Sequence, residues 1–228
     1  MTPRGWIKIC GITSAEDALG AVDAGADAIG INLWPGSPRC VSMPRARGIA
    51  DAVRGRAAVV AVTVDARVEA LQEIAATLRP TWLQLHGDET AALVQALPAA
   101  FKAIGLASQA DVERAQQMPG PWVLIDAHDV VLRGGTGRAA STELARRVCR
   151  ARPTFVAGGL TEINVAQTIE ALEPIGVDTA SGVESAPGIK DMRRVRAFVA
   201  AARGAWQELG DTPWRRFPAS VVPLNPQR

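Results

Sequence analysis

The 228-residue sequence has little histidine, little cysteine and few aromatic residues: two His, three Cys, six Trp, four Phe and no Tyr. Three cysteines do not provide a disulfide framework for a chain of this length, which is typical of a reducing compartment. Two histidines and three cysteines also leave few ligands for a zinc site. We therefore expect a protein that needs no metal and depends little on histidine chemistry.

A strong excess of one charge and a long apolar run are also absent. The 25 Lys and Arg nearly balance the 23 Asp and Glu, whereas a surface that binds nucleic-acid phosphates needs a clear basic excess. No apolar run reaches the roughly 18 residues of a membrane span, and Lys8 interrupts the first one, so no signal peptide is predicted either. These absences favour a cytoplasmic globular protein with no nucleic-acid or membrane partner.

What the sequence does contain is a regular alternation of short apolar runs with amphipathic stretches. Eight strand–helix units lie between Trp6 and Arg203, with about 25 residues per unit, enough for a short strand, a helix and two loops. The apolar runs are mostly continuous, as in parallel strands that are buried on both faces. The pattern predicts a single α/β domain over residues 1–203, an eight-stranded parallel (β/α)8 barrel of the TIM type.

A doubly wound open sheet is the alternative fold. It normally has one dominant Gly-rich turn at its switch point, whereas here glycine and polar residues follow many of the strands. We therefore favour the barrel.

The end of the chain has a different pattern. The last predicted helix covers about Lys190 to Arg203, and residues 204–228 then contain four prolines and no helical stripe. This segment is predicted to be a C-terminal tail. Its Trp206, Trp214 and Phe217 favour docking against the barrel or a second subunit, and a solvated tail is the alternative.

Polar and small residues recur at the predicted strand ends, where the chemistry of a (β/α)8 barrel takes place. In chain order they are Cys10, Asn32, Asp65, Gln84, His86, Gly105, Asp126, Gly158, Gly159, Ser181 and Gly182. Cys10 is either a small buried hydrophobe or a reactive group at the mouth. Asp126 ends a wholly apolar strand, where it either caps the next loop or acts as a general acid. For Cys40 and Cys149 we expect ordinary packing.

The loops after the seventh and eighth strands predict an anion site. Gly158–Gly159 and Ser181–Gly182 can present free backbone N–H groups to a phosphate, and these two loops are the usual phosphate site of the fold. The longest loop contains Gly134 to Gly137 and is predicted to be a mobile lid or positioning segment.

Three other polar side chains have two interpretations each. Arg39 is a candidate for a forked pair with a carboxylate, and the alternative is a solvated loop arginine. For His86, and for His128 in the lid, a packing or hydrogen-bonding role is favoured over proton transfer.

Together these segments resemble the phosphoribosylanthranilate isomerase family, barrel enzymes of tryptophan biosynthesis. The matching segments, in the family's order, are KICGIT (8–13), SPR (37–39), QLHG (84–87), the Asp126 strand with GGTG (134–137), AGGL (157–160) with Asn164 and Val165, and GVDTASGVE (176–184) with Pro187, Gly188, Lys190 and Asp191. They extend from Trp6 to about Phe198. Each segment alone is weak, whereas the ordered set is very specific.

The resemblance implies an isomerase that converts N-(5-phosphoribosyl)anthranilate to 1-(2-carboxyphenylamino)-1-deoxyribulose 5-phosphate, an aldose–ketose Amadori rearrangement. It implies that Cys10 is the general base, that Asp126 is the general acid and that Arg39 meets the anthranilate carboxylate. The other expected substrate-binding residues are Gln84, His86, Gly135, Gly158, Gly159, Ser181 and Gly182. No cofactor is expected, because the iminium nitrogen of the substrate is the electron sink. The expected partner is this small phosphoribosyl molecule, and the expected state is a monomer or a homodimer.

The chain departs from the family's pattern in several segments, and the first two of them affect the end of the pocket that takes the aromatic ring. The usual Phe-Asp-Trp run after GGTG is replaced by residues 138–143, the family tends to carry an aromatic where residues 32–34 stand, and Ser-Ser-Gly is here Ala180-Ser181-Gly182. Two alternative functions follow: the same Amadori chemistry on a different N-phosphoribosyl amine, and a phosphosugar-binding barrel without catalysis. A cysteine hydrolase is disfavoured, because the sequence places no His near Cys10.

Overall fold

Eight parallel strands form a closed barrel in strict chain order in the computed structural model, which describes residues 5–97, 99–126, 137–210 and 217, apart from the side chains of 137–141. The strands are β1 (Trp6–Ile9), β2 (Ala28–Asn32), β3 (Ala58–Thr63), β4 (Trp82–Leu85), β5 (Ala100–Gly105), β6 (Val123–Asp126), β7 (Thr154–Ala157) and β8 (Gly176–Thr179). The barrel closes where β1 pairs with β8, with Lys8 opposite Asp178. The predicted (β/α)8 barrel is confirmed, and the open doubly wound sheet is excluded.

Helices follow the strands around the outside of the barrel. They are α1 (Ala15–Asp23), α2 (Met43–Val53), α3 (Val68–Leu78), α4 (Ala91–Ala96), α5 (Gln109–Gln117), α6 (Gly137–Ala151), α7 (Val165–Leu172) and α8 (Met192–Leu209). Helix α1 begins at Ser14, whose side chain accepts a hydrogen bond from the Asp17 N–H at 3.1 Å. Helix α4 is capped by Thr90, whose side chain accepts a hydrogen bond from the Leu93 N–H at 3.3 Å.

The loop after β8 contains elements that the sequence pattern did not predict. A short 3₁₀ helix (Ser181–Val183) leads into a two-stranded hairpin of β9 (Glu184–Ala186) and β10 (Ile189–Lys190). The Thr13 hydroxyl donates to the Gly188 carbonyl at 2.6 Å. The hairpin is thereby bound to the loop after β1, on the side of the barrel where the strands end.

The interior of the barrel is filled in layers. Its floor consists of buried or half-buried aromatic side chains near the strand starts, namely Trp6, Trp82, Phe101, Trp122 and Phe155. The Trp122 ring lies at their centre, with ring centroids 4.5 Å from Trp82, 5.7 Å from Phe101 and 5.9 Å from Phe155. These five residues are half of the aromatic residues in the chain. The scarce aromatic side chains therefore close the amino-terminal end of the barrel.

The last helix extends to Leu209, so the predicted end at Arg203 is wrong. The cause is Trp206, which is 5% exposed and whose indole N–H donates to the Pro174 carbonyl at 3.3 Å. Burial of this large side chain outweighs the cost of about 1 kcal/mol for a glycine within a helix, here Gly204.

Most of the predicted tail lies outside the described residues. Of residues 211–228 only Phe217 is described, and its half-buried side chain packs against the interior cluster. In the part of the chain that the structure describes, no helix is long and apolar enough to cross a bilayer.

Candidate active site

A cavity of about 210 Å³ lies at the carboxyl end of the barrel strands. The predicted site residues that line it are Cys10, Asn32, Arg39, Gln84, His86, Asp126, Gly158, Gly159, Ser181 and Gly182. The sequence pattern thus identified residues from six strand ends and their loops that line one cavity in the structure. We call this cavity the mouth.

Two of the predicted strand-end residues do not line the mouth. Gly105 lines an adjoining groove with Asp111 and Arg114. The Asp65 carboxylate instead accepts a hydrogen bond from the Asp88 N–H at 2.6 Å, within the neighbouring loops. Gly135, His128 and the remainder of the predicted lid at 134–136 lie outside the described residues.

Cys10 lies directly after β1. Its N–H donates to the carbonyl of Thr179 on β8 at 2.8 Å, so the pairing of β1 with β8 that closes the barrel also fixes the Cys10 backbone. Its half-buried side chain faces the mouth. Burial raises the pKa of this thiol, the nearby Lys8 ammonium acts to lower it, and the Asp178 carboxylate acts to raise it. The net shift is upward, so the side chain is mostly a thiol at neutral pH in the free protein.

Asp126 lies at the end of β6, three strands around the barrel from β1. Its register places it opposite Gly105 on β5 and Ala157 on β7, and its carbonyl accepts a hydrogen bond from the Leu106 N–H at 3.2 Å. The half-buried carboxyl group lines the same mouth as Cys10. The mouth thus contains a thiol and a carboxyl group on different strands.

Gln84 and His86 occupy one face of the end of β4. The buried Gln84 side-chain amide and His86 Nδ1 are joined by a hydrogen bond of 3.0 Å. Desolvation lowers the pKa of His86, while the charge of Asp126 acts to raise it. Because the net pKa is low, the ring is neutral at pH 7. It therefore offers a hydrogen bond rather than a positive charge.

Arg39 is not a solvated loop arginine, because it is paired with a buried carboxylate. Its Nε and Nη2 donate to the two oxygens of Glu184 at 2.8 and 2.6 Å. The aliphatic part of Arg39 covers Gly11, where φ is +70° and an added Cβ would lie 2.3 Å from Arg39 Cδ. Lys190 Nζ donates to the same carboxylate at 2.7 Å, so Glu184 holds two cations beside the mouth.

The backbone after β7 turns through conformations that favour glycine. The φ angles of Gly158 and Gly159 are +99° and +67°. The Asn164 side chain donates to the Gly159 carbonyl at 3.0 Å and accepts from the Thr161 N–H at 2.8 Å, which ties this turn to the start of α7.

The loop after β8 is locked onto the loop after β7. The Thr179 hydroxyl donates to the Leu160 carbonyl at 2.7 Å, and a Cβ on Gly182 would lie 1.9 Å from that same oxygen. In the described part of the chain, no backbone hydrogen bond outside helices and strands uses the N–H groups of Gly159, Ser181 or Gly182. The two loops thus bring glycine backbone to the mouth, where it can approach an anion closely.

Four buried charges around the mouth were not singled out from the sequence. Lys8, Asp178, Glu184 and Lys190 are each less than 10% exposed. Lys8 and Asp178 are charged residues within short strands that are buried throughout. A buried charge needs a partner, so this pattern in the sequence could have identified them. Within residues 5–97, 99–126 and 137–210, no group of three or more His, Cys, Asp or Glu side chains is arranged to hold a metal ion.

Comparison with known proteins shows the family of this chain. Residues 7–201 match the family model described as N-(5'-phosphoribosyl)anthranilate (PRA) isomerase. The chain belongs to this family. It is an isomerase of the kind that interconverts an aldose and a ketose, and its family serves tryptophan biosynthesis.

Relatives of PRA isomerase type resemble the chain over nearly their full length. The N-(5'-phosphoribosyl)anthranilate isomerase of Rhodopseudomonas palustris strain BisB18 is 41% identical over 213 residues, covering 89% of this chain and 97% of the relative. That of Magnetococcus marinus is 40% identical over 205 residues, covering 90% and 98%.

Solved structures of PRA isomerases share the barrel. The Thermotoga maritima enzyme superposes with a TM-score of 0.78 at 33% identity, covering 88% of this chain and 99% of the other. A PRA isomerase in complex with reduced 1-(o-carboxyphenylamino)-1-deoxyribulose 5-phosphate superposes with a TM-score of 0.75 at 31% identity, with the same coverage.

Proposed function

We propose that the chain converts N-(5-phosphoribosyl)anthranilate to 1-(2-carboxyphenylamino)-1-deoxyribulose 5-phosphate, with Cys10 as general base and Asp126 as general acid. The observation that carries this proposal is the composition of the mouth. One thiol and two carboxyl groups, those of Cys10, Asp126 and Asp178, line a single cavity whose rim includes two glycine loops. The matching family and the named relatives support the choice of substrate.

The first step is opening of the ribose ring, which needs a proton on the ring oxygen. The Asp126 carboxyl group supplies it as general acid. His86 is less suited to this step, because its ring is neutral and its Nδ1 is occupied by Gln84. Ring opening leaves a protonated Schiff base between the sugar C1 and the amine nitrogen.

The second step removes the proton from C2 of the opened sugar. The Cys10 thiolate takes this proton, and the C–H electron pair moves toward the iminium nitrogen, which becomes neutral. The resulting enol-amine then tautomerises to the ketose. Because the substrate's own nitrogen accepts the electrons, the step requires no further electron sink.

Two parts of the mouth bind the ends of the substrate in this proposal. The phosphate accepts hydrogen bonds from the N–H groups of Gly159, Ser181 and Gly182. The anthranilate carboxylate meets Arg39, whose Nη1 is not used in the pair with Glu184. Gln84 and His86 offer neutral hydrogen-bonding groups to the sugar hydroxyls between them.

The test is the loss of anthranilate fluorescence when the protein is mixed with freshly made phosphoribosylanthranilate. We expect turnover by the wild type and a decrease of kcat by orders of magnitude in Cys10→Ala and Asp126→Ala, each with unchanged circular dichroism. Cys40→Ala is the matched control, since Cys40 is a half-buried thiol that does not line the mouth. Near-full activity of Cys10→Ala or Asp126→Ala would show that the assigned role is wrong.

If the wild type does not turn over phosphoribosylanthranilate, two further measurements distinguish the alternative functions. Tight binding of a reduced product analogue without turnover indicates a phosphosugar-binding barrel. Turnover of a phosphoribosyl derivative of another amine, but not of anthranilate, indicates the same chemistry with a different aromatic or amine half. Either result contradicts the proposal.

A further inference from the structure

A buried charge pair lies inside the barrel, between the aromatic floor and the mouth. Lys8 is 1% exposed and its Nζ donates to Asp178 Oδ1 at 2.9 Å. The reaction proposed above does not use either group. Burying two charges is costly, and an apolar pair of similar volume often gives equal or greater stability. Stability alone therefore does not explain this pair.

The Lys8 ammonium lies next to the sulfur of Cys10. Lys8 lies on β1 and Cys10 follows two residues later, directly after the strand, so both side chains point into the barrel. A Cβ built on Gly30 of the adjacent strand β2 would lie 2.6 Å from Cys10 Sγ and 3.0 Å from Lys8 Nζ. The two atoms thus occupy the space that a side chain at position 30 would need.

We propose that Lys8 is a positioning residue that stabilises the thiolate form of Cys10 at the mouth, and that Asp178 anchors the ammonium below the sulfur. This inference rests on the proposed role of Cys10 as general base. A thiol cannot accept the C2 proton, so the rate depends on the fraction of the protein that carries a thiolate. Lys8 keeps its own proton throughout, and the sulfur exchanges only a proton with the substrate.

The charged groups around the sulfur show why Lys8 has this role. They lie on four different segments and are Lys8 on β1, Asp178 on β8, Lys190 on β10 and Arg39 after β2. Lys190 and Arg39 are both paired with Glu184, which offsets part of their charge. Burial raises the pKa of the Cys10 thiol, and Lys8 is the strongest of the groups that oppose this rise.

The experiment measures the rate at which iodoacetamide alkylates Cys10 as a function of pH. Peptide mass spectrometry separates Cys10 from Cys40 and Cys149. The midpoint of this profile reports the thiol–thiolate equilibrium without any sugar substrate. Its result is therefore independent of whether phosphoribosylanthranilate is turned over.

Two variants are expected to move the midpoint in opposite directions. Lys8→Met removes the favourable charge and raises the midpoint by about 1 to 3 pH units. Asp178→Asn removes an unfavourable charge while Lys8 remains, and it lowers the midpoint. An unchanged midpoint in folded Lys8→Met overturns the proposal. If Lys8→Met does not fold, an unchanged or raised midpoint in Asp178→Asn overturns it instead.

Lys102→Met is the matched control. Lys102 is also 1% exposed and also forms an ion pair, with Glu89 at 3.2 Å, but it does not line the mouth. We expect this variant to lose stability and to keep the wild-type midpoint for Cys10. An equal shift in Lys102→Met and Lys8→Met would show a general effect of buried charge and would overturn the proposal. In the active enzyme, the acidic limb of the kcat profile should move with the alkylation midpoint of Lys8→Met.

Discussion

Glu184 holds Arg39 through two parallel hydrogen bonds, from Nε at 2.8 Å and from Nη2 at 2.6 Å. The two residues are 145 positions apart in the chain, and the pair joins the loop after β2 to the hairpin after β8. This fork uses one edge of the guanidinium group. It fixes the orientation of the remaining N–H groups, which include both hydrogens of Nη1.

Glu184→Gln should therefore weaken substrate binding more than catalysis. The neutral amide has one acceptor oxygen where the carboxylate has two, so the two-oxygen fork is lost and Arg39 loses its fixed orientation. We expect KM for phosphoribosylanthranilate to rise about tenfold, equivalent to about 1.4 kcal/mol, with kcat changed less than about twofold. Steady-state kinetics of Glu143→Gln provide the control, because Glu143 forms an exposed pair with Arg146 outside the mouth. An unchanged KM in Glu184→Gln would contradict this role.

The same carboxylate should make stability depend on acidity. Burial acts to raise the pKa of Glu184, but the hydrogen bonds to Arg39 and Lys190 outweigh it and hold the pKa below the ordinary value of 4.5. A folded-state pKa below the unfolded one contributes stability above the unfolded pKa, and this contribution is lost as pH falls through the folded value. The free energy of unfolding should thus decrease below about pH 4.5. Urea denaturation at pH 3 to 7 should show a smaller decrease in Glu184→Gln than in the wild type.

Gly182→Ala should damage the proposed anion site. The added methyl group would lie 1.9 Å from the Leu160 carbonyl oxygen, so one of the two loops must move. We expect a higher KM and weaker competition by inorganic phosphate. Gly204→Ala is the control, since nothing lies within 4 Å of a Cβ at that site within α8, and it should stabilise the protein by about 0.5 to 1 kcal/mol. Unchanged phosphate inhibition in Gly182→Ala would rule out the two glycine loops as the anion site.

Trp206→Ala should destabilise the whole barrel. The ring is 5% exposed and lies against Gly5, so the last helix holds the start of the first strand. Truncation of a buried aromatic side chain costs about 3 to 5 kcal/mol, which urea denaturation measures directly. Trp34→Ala is the comparison, because Trp34 is 41% exposed and its removal should change stability by less than about 0.5 kcal/mol. A loss of stability in Trp206→Ala as small as that expected for Trp34→Ala would show that residues beyond Arg203 do not support the barrel.

Much of the fold was predictable from local pattern. Continuous apolar runs alternating with amphipathic stretches specify buried parallel strands and surface helices, because both patterns act over a few residues. The same alternation located the strand ends, and with them Cys10, Asp126 and the two glycine loops. The helix ends were less predictable. Helix α8 continues to Leu209 because Trp206 packs against Gly5 and Pro174, and such contacts are not visible in a local window.

The sequence did not reveal where the few aromatic residues lie in the fold. Trp6, Trp82, Trp122, Phe101 and Phe155 lie far apart in the chain, yet they pack together as the floor of the barrel. Half of the aromatic residues are thereby committed to the end of the barrel opposite the mouth. Their low number is thus consistent with a mouth built mainly from polar and small side chains.

By itself the sequence determined the eightfold strand–helix order, the family and the candidate acid, base and glycine loops, since these depend on residue type and spacing along the chain. Tertiary structure decided which charges meet. Lys8 reaches Asp178 across 170 residues and Arg39 reaches Glu184 across 145, because barrel closure places β1 beside β8 and folds the hairpin over the loop after β2. Pairing between distant charges depends on this closure, and no local sequence pattern encodes it.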